Sequence, residues 1–80
     1  MAKWKKTLEK VLAGQSDANI RFDDLCQMLE RLGYQHRVEG SHHIYLKPGV
    51  GFVNLQPQGG HAKPYQVRQT RDVLKNDDLP

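Results

Sequence analysis

The sequence has a single cysteine, Cys26, so no internal disulfide can form and the cysteine-rich zinc frameworks are excluded. It has no apolar run approaching the roughly 18 residues that a membrane span needs, and no charged-then-apolar leader is legible. The expectation is a soluble, cytoplasmic protein without a membrane partner, stabilised by packing alone. Length is also scarce: 80 residues yield one small core, which excludes a large multi-step enzyme.

What is present is a moderately basic chain, with a formal net charge of +3 unevenly distributed. Lys3, Lys5, Lys6 and Lys10 stand against Glu9 near the start, and Asp17, Asp23, Asp24 and Glu30 then outweigh Arg21 and Arg31. From residue 33 to 71 the basic residues Arg37, Lys47, Lys63, Arg68 and Arg71 face only Glu39. A polyanion suits such a surface, because each neutralised phosphate releases a counterion. Charge of this size is also common on proteins that bind no nucleic acid.

Trp4, Leu8, Val11 and Leu12 recur at helical spacing, predicting a short helix over residues 3–12 that ends near Gly14, with the lysines on its solvated face. Asp23 and Asp24 place negative charge at the start of a second helix, whose stripe of Leu25, Met28, Leu29 and Leu32 runs to Gly33. The pattern then alternates, and residues 34–38, 42–47 and 52–55 read as strands joined by turns at Glu39-Gly40-Ser41 and Pro48-Gly49-Val50-Gly51. Residues 56–63 read as a Gly- and Pro-rich loop. Pro64 suits the first turn of a last helix reaching about Lys75, with a weak stripe of Val67, Thr70, Arg71 and Leu74 that predicts looser packing. The expected architecture is α+β, with a three-stranded antiparallel sheet carrying its helices on one face. The chain divides into an N-terminal helical extension (1–16), the main domain (17–75) and a frayed tail (76–80).

Gly40-Ser41-His42-His43-Ile44-Tyr45 is the densest cluster of chemically capable side chains. Imidazole exchanges protons near neutral pH, so a positioned histidine can deprotonate a ribose 2′-hydroxyl without metal or cofactor. Alternation groups His42 with Ile44 and Leu46, expected to face inward, and His43 with Tyr45 and Lys47, expected to face solvent; by pattern alone His43 is the better placed. From the residues alone the favoured reading is that both are ordinary strand residues, one facing the helices and one facing water. The four histidines, His36, His42, His43 and His61, lack the i,i+4 pair or cysteine partners of a zinc signature, so no metal site is implied. Ser41 lies in no Gly-x-Ser-x-Gly elbow, and Gln58-Gly59-Gly60-His61 reads as a flexible connection rather than a phosphate cradle. Tyr65, Gln66, Arg68, Gln69 and Arg71 offer phosphate donors on the last helix, or simply a solvated face.

Leu25, Leu29, Leu32-Gly33-Tyr34, Gly40-Ser41-His42-His43-Ile44-Tyr45, the turn at Pro48, Asn54-Leu55-Gln56-Pro57, Gly59-Gly60, Lys63-Pro64 and Val67-Arg68 together resemble the HicA toxin family over about residues 22–75. The resemblance implies a double-stranded-RNA-binding-domain-like α-β-β-β-α fold and an mRNA interferase, a metal-independent endoribonuclease of a toxin-antitoxin pair restrained by a HicB antitoxin. It places the catalytic histidine on His42, with His43 the runner-up and Gly40 and Ser41 shaping the turn. Arg37, Lys47, Lys63, Arg68 and Arg71 would then hold RNA, and no cofactor is implied. Two departures stand out. Many members carry a histidine after the third-strand proline, where Gln58 follows Pro57 here, and the first helix precedes the usual family start. The competing reading is a non-catalytic RNA-binding or protein-interaction module on the same fold.

Overall fold

A computed structural model describes residues 2–77. Helix α1 spans Lys3–Ala13, a single 3-10 turn Asp17–Asn19, and helix α2 Phe22–Arg31. Strands β1 (Gln35–Glu39), β2 (His42–Lys47) and β3 (Gly51–Leu55) follow, then two short strands, β4 (Pro57–Gln58) and β5 (His61–Ala62), and helix α3 (Pro64–Leu74). The main sheet is an antiparallel meander in the order β1-β2-β3, and all three helices lie on one side of it. After α1, the order is the α-β-β-β-α arrangement of a double-stranded-RNA-binding-domain-like fold. Among the described residues no helix is long and apolar enough to cross a membrane.

Core formation follows the apolar spacing. Leu25, Met28 and Leu29 of α2 are fully buried and meet Tyr45, Val53 and Leu55 from the sheet and Val67 and Leu74 from α3. Asp23 and Asp24 occupy the first turn of α2 and Arg31 its last, each favourable to the helix dipole. Pro64 opens α3, where its missing N–H costs nothing.

Three expectations are corrected. The faces of β2 are reversed: Tyr45 is 1% exposed and Leu46 42%, so His43, Tyr45 and Lys47 face the helices while His42, Ile44 and Leu46 face away from them. The reason is that a tyrosine can enter a core when its hydroxyl finds a partner, here the Cys26 thiol, and a lysine can line one if its ammonium escapes. Lys47 does so by donating to Leu32 O at 2.9 Å and to Asp77 Oδ1 at 3.0 Å. Second, residues 56–63 are not a plain loop. Pro57 pairs with Ala62 and Gln58 with His61 around Gly59 and Gly60, whose φ values of 58° and 82° fit the tight hairpin turn that L side chains disfavour. This hairpin is held to the preceding chain by Ala62 N–H donating to Ile20 O (2.9 Å) and Phe22 N–H to Gly60 O (3.1 Å). Third, α3 is as long as α1 and well packed, burying Gln66 and Thr70 beside its apolar residues, and the Thr70 hydroxyl donates to Gln66 O at 2.8 Å.

Of the expected tail, Asp77 is anchored: its carboxylate accepts from the Tyr34 hydroxyl (3.0 Å) as well as from Lys47, and is 2% exposed. Residues 78–80 lie outside the described residues.

The extension 1–16 is fastened to the domain by Arg71. Its guanidinium donates to Asp17 through two nitrogens, at 2.9 and 3.2 Å, and to Val11 O at 3.1 Å, joining α1, the 3-10 turn and α3. Gly14, which ends α1 at φ 73°, is needed twice, because a Cβ there would also sit 3.3 Å from this guanidinium. Asp17→Ala is therefore expected to lower unfolding free energy by about 1.5–3 kcal/mol, the worth of hydrogen bonds to a charged group in a part-buried site. Urea denaturation measures it, and an unchanged midpoint would show the tie to be idle.

Burial pushes the Tyr34 phenol above its ordinary value, and the hydrogen bond to Asp77 adds to this; Tyr45 is raised by burial and by its bond to Cys26. The folded state thus keeps protons that the unfolded chain releases near pH ~10, so stability is expected to be full below that pH and to decline above it. Tyrosinate absorbance followed alongside circular dichroism checks this. Two of the three tyrosines should ionise only as the helices melt; ionisation of all three in a folded protein would contradict it.

Candidate functional site

Gly40 and Ser41 form the two-residue connection between β1 and β2, with Glu39 and His42 paired across it. His42 is thereby the first residue of β2, at the sheet margin, exposed on the face that carries no helix. Asn54 projects from β3 on the same face, paired in register with Ile44. Gln56 follows at the end of β3, where its backbone N–H donates to Oε1 of the buried Gln66 at 2.9 Å, fastening the strand end to α3.

The hydrogen bonds around His42 form a chain with one consistent set of roles. Lys63 Nζ can only donate, and it lies 3.1 Å from Gln56 Oε1, so the amide oxygen of Gln56 faces the lysine. The amide nitrogen then points the other way, donating to Ser41 Oγ at 3.1 Å and standing 3.4 Å from His42 Nε2. A donor opposite Nε2 makes that nitrogen the acceptor of neutral imidazole, and the proton belongs on Nδ1. There Nδ1–H donates to Asn54 Oδ1 at 2.9 Å. The site therefore presents an imidazole with its tautomer and ring plane set and its basic nitrogen at an exposed position, the arrangement of a general base. Ser41 serves here as a hydrogen-bond acceptor.

His43 lies on the opposite side of the sheet. Its ring meets the edge of Phe22 at 5.0 Å between centroids, and its Nδ1 is 3.2 Å from Nε2 of His36, which itself stacks on Tyr45 at 4.3 Å. The two adjacent histidines are thus not one site, and the solvent-facing position belongs to His42. His61 lies in the β4-β5 hairpin with its Nδ1 3.3 Å from Gly59 O. Among the described residues no group of three His, Cys, Asp or Glu side chains converges as a metal site would require.

The five basic residues are dispersed. Lys63 belongs to the His42 network, Arg37 is exposed on β1 in the row of Ile44 and Asn54 with Glu39 at 3.4 Å, and Arg68 is exposed on α3. Lys47 and Arg71 are held in ion pairs with Asp77 and Asp17. Sequence reasoning gave no role to Asn54 or Gln56, and read Gln66 as a phosphate donor on an exposed face, whereas it is buried and holds the end of β3. The available signal was two amides at alternate positions of an otherwise apolar strand, Asn54 and Gln56, on the face that alternation leaves exposed.

The family profile described as the HicA toxin of bacterial toxin-antitoxin systems matches residues 22–76, from the start of α2 to just past α3. No curated protein and no solved structure matches the chain significantly. The match spans well over half of the chain, including the His42 turn, both amide positions and Lys63, and leaves α1 outside. The protein belongs to the HicA toxin family, the toxin halves of toxin-antitoxin pairs, and so has an antitoxin as its expected counterpart.

Proposed function

We propose that this toxin is a metal-independent endoribonuclease that cleaves messenger RNA in the cytoplasm, with His42 as its single catalytic histidine. The observation that carries this reading is the 2.9 Å bond from His42 Nδ1 to Asn54 Oδ1, which leaves Nε2 unprotonated in the neutral ring and exposed at the strand margin. In the reaction, Nε2 takes the proton of a ribose 2′-hydroxyl as its oxygen attacks the adjacent phosphorus. The bond from phosphorus to the 5′-oxygen breaks, and that oxygen takes a proton from water, leaving a 2′,3′-cyclic phosphate and a 5′-hydroxyl. Gln56 stands only loosely before Nε2, at 3.4 Å, and yields its place to the hydroxyl. Lys63, with Arg37 and Arg68 farther out, supplies positive charge for the phosphates, whereas Lys47 and Arg71 act through the fold.

A HicB-type antitoxin is the proposed restraint. The open sheet face beside His42 exposes Phe52 by 64% and Leu46 by 42%, an apolar patch suited to a protein cover that would close the site. The same patch favours a second reading, a non-catalytic interaction module, so cleavage itself must be measured.

His42→Ala is expected to reduce cleavage of an unstructured RNA about 10²-fold or more while RNA affinity and thermal stability persist. Asn54→Ala should lower kcat about tenfold with little change in KM, since it misorients the base without removing a substrate contact. Wild-type products bearing 2′,3′-cyclic ends complete the expectation. Products with plain 3′-hydroxyl ends, or a His42→Ala protein as active as wild type, would sink the mechanism.

A further inference from the structure

Helix α1 lies outside the segment matched to the family, and its lysines are not evenly spread. Lys3, Lys6 and Lys10 share one helical face and form one wall of a groove whose other wall is Arg21 and Asp24, with the buried Ile20 between them. Four cationic side chains therefore meet one carboxylate. That carboxylate is engaged by Lys3 at 3.2 Å, and Lys10 reaches Asn19 O at 3.5 Å. Among the described residues, Lys6, Lys10 and Arg21 have no acidic partner, although Asp23 and Glu9 are both close in sequence.

We infer that this groove binds the phosphate backbone of the RNA strand whose cleavage is assigned to His42, extending the contact beyond the catalytic face; the inference rests on that assignment. At 1.5 Å rise per residue, the row from Lys3 to Lys10 runs about 10 Å, the length of about three phosphates in a strand stacked at ~3.4 Å per nucleotide. The groove is also connected to the site. The backbone of Arg21 pairs with that of His61 of β5 in an antiparallel bridge, and Lys63, two residues on, contacts Gln56 beside His42, so the β4-β5 hairpin joins one wall of the groove to the site. Its walls are mainly lysine, arginine and threonine, with Asp24 as the one acid, Ile20 at the floor and no aromatic ring, which suits a flexible polyanion tracked by charge and gives no base readout. The helix that bears the lysines is rigidly mounted, through buried Thr7 and Val11 and the Arg71 tie at its C-terminal end, so the cations are presented at fixed spacing.

The test combines Lys6→Gln, Lys10→Gln and Arg21→Gln, none of which touches the His42 network. In a His42→Ala background, where RNA stays intact, binding of a long unstructured RNA is measured over a range of salt concentrations. The slope of log affinity against log salt should become shallower by about 2, the release expected for three phosphates on a single strand, with affinity at moderate salt down about tenfold or more. In the otherwise wild-type protein, cleavage of a tetranucleotide, too short to reach the groove, should stay within about twofold while cleavage of the long RNA falls. An unaltered salt slope overturns the inference. So does equal loss on short and long RNA, which means general damage, or polyglutamate competing as well as RNA, which means an acidic protein is the ligand. If the wild type binds through the groove with the expected slope yet cuts nothing, the inference stands and the assignment of cleavage to His42 fails.

Discussion

The ion pair between Arg71 and Asp17 is the constraint on which the arrangement of the molecule depends. One guanidinium on α3 fastens the end of α1 and the 3-10 turn that follows it, both of which lie more than fifty residues earlier in the chain. Both partners are mostly shielded from water, with side chains 18% and 15% exposed, so the pair is a directed bond rather than a solvated surface contact. Asp17 further holds the guanidinium to its charged form. The consequences run outward. With α3 fixed, Gln66 stands where it accepts from the backbone of Gln56, and Gln56 in turn meets His42 and Ser41. Arg71 itself is engaged by Asp17 and Val11 O, so its part in the site is through placement.

A second tie does the same for the other end of the sheet. Asp77 gathers Lys47 and the Tyr34 hydroxyl, and Lys47 also caps Leu32 O at the C-terminus of α2. Here a lysine whose stem lies on the core side of β2 reaches a carboxylate from beyond α3. The two ties use basic residues that charge counting alone assigns to a phosphate surface. Positive charge in a sequence does not distinguish a cation facing solvent from one matched to a carboxylate many residues away; that difference is tertiary.

The fold was largely legible because its signals are local. The apolar stripe of α2, the glycine after each of the first two α-helices, Pro64 at the start of α3 and the alternating runs all act within a few residues, and the elements formed where they point. The facing of β2 was not legible. His42-His43-Ile44-Tyr45-Leu46-Lys47 offers two apolar residues to one side and a tyrosine and a lysine to the other, and only the Cys26 thiol and Asp77, supplied by other elements, reverse the simple count. The β4-β5 hairpin was missed for a similar reason: two-residue strands carry no periodicity, and their support comes from the Ile20 and Phe22 backbone. Of the proposed site, sequence resemblance suggested the histidine, while its amide partners needed the register of β3.

The histidine doublet acquires a further meaning from the reversed strand. Because His42 and His43 project to opposite sides, a slip of β2 by a single residue would exchange them, presenting His43 to solvent and turning His42 toward Phe22. The same slip would carry Tyr45 out of the core and Leu46 into its place, so the chemistry of the open face and the filling of the interior are locked to one alignment. Two identical neighbours, which look interchangeable on paper, are kept apart by the residue two positions beyond the second of them.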